Sequence, residues 1–215
     1  MSKELPARDA AYEPGRTALL LVDMQRVWLE PGADPHHPER GPDHYFYRQT
    51  AGETIPNAEA VLKAARRNGV EVIHTIIQSL TEDGRERSLD HKLTPIHVPP
   101  SLPEGLPVPS LAPVGDEIML PKSSSGVFNS TNIDYLLKNL DIRYLVVLGI
   151  MTDQCVDMAV RDAADRGYLV TCVHDACATA TPERHEGALK AFGGYCWTAD
   201  TATVVSRFDA MGGVA

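Results

Sequence analysis

Short unbroken apolar runs alternate along the chain with segments whose apolar residues recur every three or four positions. The runs are TALLLVD (17–23), VEVIHTIIQ (70–78), DEIMLPK (116–122), YLVVLGI (144–150), YLVTCVHD (168–175) and ATVVS (202–206). They are continuous rather than alternating, which is how strands of a parallel sheet covered on both faces read. Four helices are predicted between and after them. In 55–69, Asn57 is the expected N-cap, Ala58, Val61, Leu62 and Ala65 form a stripe, and Gly69 is the stop. In 130–140, Ile133, Leu136, Leu137 and Leu140 share a face. In 155–167, Val156, Ala159, Val160 and Ala163 point inward, with Asp157, Arg161, Asp162 and Asp165 outward. The fourth, 182–194, begins at Pro182 and ends on glycines. Strand–helix alternation of this kind predicts βαβ units and a three-layer α/β sandwich.

Two segments break the rhythm: 28–54, rich in proline, glycine and histidine, and the proline-rich 79–115. Both follow carboxyl ends of strands, the edge where ligands of open α/β sheets bind. Segments this long are expected to serve as lids or interface arms. No linker or repeat divides the 215 residues, so one domain spanning 1–215 is expected.

Composition narrows the function. With 43% apolar and 23% charged residues the chain reads as an ordinary soluble protein. A net charge of −9 without a basic run argues against nucleic acid and anionic membranes as partners, leaving a small molecule. The N-terminal 25 residues carry no cationic segment leading into a long apolar one, so a cytoplasmic location is expected. Cys155, Cys172, Cys177 and Cys196 show no C-x-x-C spacing, and the last three are expected to be small buried side chains.

At the carboxyl edge the predicted strands end in Asp23, Gln78, Lys122, Gly149–Met151 and Asp175, with Cys155 following the fourth. A carboxylate, an ammonium and a thiol together supply what acyl transfer needs. The thiolate attacks, Asp23 relays the proton, and Lys122 with a helix N-terminus favours the anion. A Gly-x-x-Thr-x-x-Cys turn entering a helix can aim backbone N–H groups at an oxyanion.

The stretches ALLLVDMQ, LPKSSSGVFNSTNIDYLL, YLVVLGIMTDQCVDMAVRDAADRGYLVTCVHDACAT and ERHEGAL, in that order, resemble the isochorismatase-like cysteine hydrolase superfamily over all but the two long segments. The resemblance implies a six-stranded parallel sheet flanked by helices and a catalytic triad of Asp23, Lys122 and Cys155. It further implies a cis peptide at Ile150–Met151, and an oxyanion hole from the backbone N–H groups of Met151 and Cys155. Isochorismatase itself cleaves a vinyl ether and lacks the cysteine, so Cys155 points to an amidohydrolase. Nicotinamidases of the superfamily hold a metal on Asp and His. Here Asp34, His36 and His37 occur, but IIQSLTEDG lacks the later histidine, so neither metal nor cofactor is expected. A small ureido or carbamoyl substrate of biuret or triuret type remains, with a ureidoacrylate or N-carbamoyl amino acid amidohydrolase, a nicotinamidase and a catalytically silent binding protein as alternatives. Gln25, Trp28, Gln78, Arg85, Lys92, Phe128 and Asn129 are candidates for substrate contact, with Arg87 alongside Arg85 and Lys92 as a cationic clamp. Homodimers or homotetramers are common in the superfamily, which makes Tyr45 and Tyr47 candidates for crossing into a neighbouring subunit.

Overall fold

The computed structural model describes residues 5–34 and 37–212. Six strands form one parallel sheet: β1 (Thr17–Val22), β2 (Glu71–Ile77), β3 (Ile118–Lys122), β4 (Tyr144–Ile150), β5 (Leu169–Ala178) and β6 (Trp197–Ala199). Their spatial order is β3-β2-β1-β4-β5-β6. Every residue of β1 and β4 is buried, as expected for central strands covered on both faces. The chain winds outward from β1 through β2 to β3, then returns to place β4 on the other side of β1. The reversal opens a crevice at the carboxyl ends of β1 and β4.

In chain order the α-helices among the described residues are α1 (Arg26–Leu29), α2 (Tyr45–Gln49), α3 (Ile55–Arg67), α4 (Leu89–Leu93), α5 (Val127–Ser130), α6 (Ile133–Asn139), α7 (Asp157–Asp165), α8 (Pro182–Ala191) and α9 (Thr201–Ala210), and the longer ones flank the sheet. α3 buries Ala58, Val61, Leu62, Ala64 and Ala65 and packs on α9. α7 buries Ala159, Val160 and Ala163 against β4 and β5. Among the described residues no helix is long and apolar enough to cross a membrane.

Three expectations are corrected. Residues 202–206 are helical, within α9, and the sixth strand is the short edge Trp197–Ala199. Asp200 caps α9 by accepting from Thr203 N, and Val204 and Phe208, four apart, are buried. A five-residue apolar run does not distinguish the two periods by itself. Asn57 does not cap α3, because the chain arrives already helical through α2 (Tyr45–Gln49) and a π turn at Thr50–Thr54. Its Nδ2 donates instead to the Asp175 carbonyl, 2.9 Å away. β5 runs on to Ala178, with its register to β4 shifting between Val147 and Gly149.

The long segments also carry structure. Residues 28–54 hold α2 and the π turn, and 79–115 hold α4 (Leu89–Leu93) with turns at Pro103–Gly105 and Pro109–Leu111. A bridge from Gln25 to Pro107 fastens the second segment beside the crevice.

Candidate active site

Asp23 leaves β1 with φ 55°, an unusual left-handed conformation for a residue with a side chain. Its carboxylate is 1% exposed. β4 ends beside it. There Gly149 has φ 127°, and a Cβ at that position would collide with the Val22 carbonyl oxygen, so only glycine lets β1 and β4 approach so closely. The Ile150–Met151 peptide is cis. The turn Thr152–Val156 that follows carries Cys155 to the crevice floor before α7 begins. Gln154 N and Val156 N both donate to the Met151 carbonyl, which fixes the backbone on either side of the thiol.

Lys122 ends β3, two strands away from β1. Neighbouring strands lie about 4.8 Å apart, so only a long side chain spans the gap. Lys122 is fully buried, and its Nζ lies 2.9 Å from Asp23 Oδ2 and 3.4 Å from Cys155 Sγ. The same ammonium donates to the carbonyls of Ser124 and Ser125, each at 3.1 Å. Asp23 Oδ1 accepts from the Thr75 hydroxyl at 3.0 Å. Oδ2 has the neighbouring ammonium charge but accepts no hydrogen bond among the described residues, which leaves it open to a proton.

The electrostatics depart from the sequence expectation of an anion favoured by Lys122. Burial pushes the Cys155 thiol up to about 12; Lys122 pulls it down and Asp23 adds to the rise. Loss of solvent outweighs the cation. Burial likewise opposes the Lys122 ammonium, but Asp23 and then Cys155 outweigh it, and its pKa is raised. Behind the triad His91 is buried and held neutral, lowered by burial and then by Lys122, with Nε2 3.2 Å from Ser125 Oγ.

Above the sulfur lies a cavity of about 220 Å³. Asp23, Met151 and Cys155 form part of its floor, and Trp28, Phe46, Tyr47, Ile77 and Ile96 make apolar walls. Arg40 and Arg184 also line it. Of the candidates for substrate contact, only Trp28 reaches this cavity. Gln25 is fully buried behind it: its Nε2 donates to the Ile77 and Gly105 carbonyls, and its Oε1 accepts from Ile77 N and from Trp28 Nε1 at 3.1 Å. Gln25 therefore fixes the wall rather than facing the cavity. Gln78 gives its backbone N–H to the Lys122 carbonyl, and its side chain lies outside the lining. Arg85 is exposed and pairs with Asp83, Lys92 donates to the Arg85 carbonyl, and Arg87 donates to the Ile96 carbonyl, so these cations brace their own segment. Phe128 is buried, stacked near Tyr168 with the Arg166 guanidinium over its ring, and Asn129 is exposed away from the cavity.

Tyr47 belongs to the cavity of its own chain. Tyr45 lines a separate cavity of about 180 Å³ with His174 and His185. Asp175 turns away from the triad to accept from the backbone and hydroxyl of Thr201. Asp34 and His37 line the main cavity, and His36 lies outside the described residues. Among the described residues no three His, Cys, Asp or Glu side chains gather as metal ligands. The sequence reading missed Thr75, Arg40, Phe46 and Arg184. A signal existed for Arg184, which sits in the ERHEGAL stretch; none marked the others.

Comparison with known proteins places the chain in a family. A family model described as "Isochorismatase domain" matches residues 17–203. The ureidoacrylate amidohydrolase RutB of Serratia proteamaculans is 29% identical over 204 residues, covering 83% of this chain and 77% of its own. A probable inactive nicotinamidase of Arabidopsis thaliana is 30% identical over 181 residues, 79% of this chain and 84% of its own. The crystal structure of a cysteine hydrolase from Pseudomonas syringae pv. phaseolicola superposes with a TM-score of 0.83 at 26% identity, covering 98% of this chain and 100% of that one. The chain belongs to the isochorismatase family of hydrolases.

Proposed function

We propose that the protein is a cofactor-free, cysteine-dependent amidohydrolase. It cleaves the terminal C–N bond of a small ureido or carbamoyl compound, of which biuret and triuret are the simplest, and releases ammonia. The observation that carries the reading is the Lys122 ammonium, 2.9 Å from Asp23 Oδ2 and 3.4 Å from Cys155 Sγ beneath the cavity. The resting sulfur is a thiol, so the nucleophile forms only as Asp23 Oδ2 takes its proton. Sulfur then attacks the carbonyl carbon, and the electron pair moves to oxygen, held by the N–H groups of Met151 and Cys155. Collapse of the intermediate expels ammonia, which takes the proton from Asp23. Water, deprotonated by the same carboxylate, cleaves the thiocarbamate to a carbamate and restores the thiol. Lys122 stays protonated and steadies carboxylate and sulfur in turn.

The name of the RutB relative supports a ureido substrate. The inactive label on the plant relative marks the alternative, a binding protein on the same scaffold. An ammonia-release screen over biuret, triuret, ureidoacrylate, N-carbamoyl amino acids and nicotinamide tests the reading. Release from a ureido or carbamoyl compound that is lost in Cys155→Ser supports it. Full activity in that variant, or release from nicotinamide alone with loss on chelation, contradicts it. We further propose that the chain assembles as a homodimer or homotetramer through segment 79–115, where Leu80, Leu89 and Leu93 stand exposed; a monomeric mass by light scattering would contradict this.

A further inference from the structure

Arg40 is the one guanidinium of the cavity that the fold leaves without a hydrogen bond among the described residues. Its side chain is 26% exposed. Its carboxylate contact is Glu39 Oε1, 4.0 Å from Nε on a side chain that itself points mostly into solvent. The guanidinium lines the cavity and its donors keep free valences there for an acceptor. Arg184, from α8, is different: its Nε and Nη2 are both taken by Asp153 Oδ2, so its charge is already paired. The triad beneath is internally paired, with Asp23 neutralised by Lys122. Asp34 also lines the cavity, and its carboxylate sets a cost for an anion on that side, whereas on the Arg40 side an anion meets a guanidinium without a hydrogen bond among the described residues, whose planar fork suits a carboxylate.

We infer that Arg40 anchors a carboxylate on the substrate, and that the true substrate is a ureido acid, a class that includes N-carbamoyl amino acids and ureidoacrylate, rather than neutral biuret or triuret. The inference rests on the amidohydrolase reading and narrows it. The size fits: a compact volume of 220 Å³ is about 7–8 Å across, while the carbamoyl and carboxyl carbons of an N-carbamoyl α-amino acid are about 4 Å apart when extended. Arg184 supplies the second, weaker contact. The apolar walls of Trp28 and Phe46 lower the local polarity around the charge pair and strengthen it.

The test compares N-carbamoylglycine with its neutral amide. On Cys155→Ser protein, calorimetry should show the acid binding at least tenfold more tightly than the amide. Adding Arg40→Gln should weaken the acid by about 10- to 100-fold and the amide by less than twofold, and Arg40→Lys should recover part of the loss. Equal binding of acid and amide, or equal weakening of both by Arg40→Gln, overturns the inference. Since Arg40→Lys retains charge, a folding defect in the glutamine variant leaves the lysine variant and the acid-to-amide ratio to decide. Ammonia release by the unaltered enzyme separates the two readings. Turnover of biuret without any preference for the acid overturns the role of Arg40 and leaves the amidohydrolase. Discrimination in binding without turnover of any ureido compound overturns the amidohydrolase and leaves the anion site.

Discussion

Replacing Lys122 by methionine keeps most of the stem and removes the charge. The ammonium is fully buried and stands 2.9 Å from Asp23 Oδ2. At an effective dielectric of about 20, unit charges at that separation attract by about 6 kcal/mol. Part of this is offset by the desolvation of both groups. What the substitution leaves behind decides the outcome. Asp23 is 1% exposed; Oδ1 keeps the Thr75 hydroxyl, and Oδ2 keeps nothing. Breaking a buried pair from one side costs about 3–5 kcal/mol, because the surviving charge is stranded. Urea unfolding at pH 7 should show this loss as a lower midpoint with an unchanged slope. The double variant Asp23→Asn, Lys122→Met strands nothing and should recover at least about half of the lost stability. Ammonia release should fall by about 10²–10³ or more in the single variant and should not return in the double one. A Lys122→Met protein within about 1 kcal/mol of the parent, inside the range of ordinary surface changes, would refute the reasoning.

Three further outcomes follow from the geometry. Glu117 is held at about 2 against burial by Arg66, by the Val114 N–H and by His74. A folded pKa below the unfolded one adds stability above about pH 4.5 that is lost as pH falls toward about 2, so the gap between parent and Glu117→Gln should be about 3 kcal/mol at pH 7 and close in acid; a gap that ignores pH contradicts it. Because the resting Cys155 thiol titrates near 12, its alkylation by iodoacetamide, read on the Cys155 peptide, should be slow at pH 7 and rise about tenfold per pH unit toward pH 10; a rate flat over that range contradicts it. Gly149→Ala should lose about 3 kcal/mol or more, since the added Cβ meets the Val22 backbone at a positive φ; a melting temperature equal to the parent's contradicts the close approach of β1 and β4.

The fold was legible where burial dictates sequence. β1 and β4 are fully buried strands, and their unbroken apolar runs announce them. Asp23, Lys122 and Cys155 were legible because each follows or ends such a run, at the edge where strand ends converge. Of the cavity walls Trp28 was legible, close behind Asp23, and the others were not. Arg40 and Phe46 lie in a segment with no period to read, and Arg184, although inside the ERHEGAL stretch, reaches the site from the first turn of a helix that otherwise looks like an exposed cover. Thr75 stands in the middle of an apolar strand, where a hydroxyl signals nothing until its partner is known. The cations of 79–115 misled for a physical reason: Arg85, Arg87 and Lys92 satisfy nearby carboxylate and carbonyl groups within their own segment. The state of the thiol was beyond the sequence too, since it depends on how completely water is excluded.

The most direct measurement is the mass of the Cys155 peptide from enzyme quenched in acid during turnover of the best substrate in the ammonia screen. A carbamoyl or acyl adduct on Cys155, absent when Lys122 or Asp23 is replaced, is the predicted result. An unmodified Cys155 at every quench time, in an enzyme that stays fully active as Cys155→Ser, would contradict it.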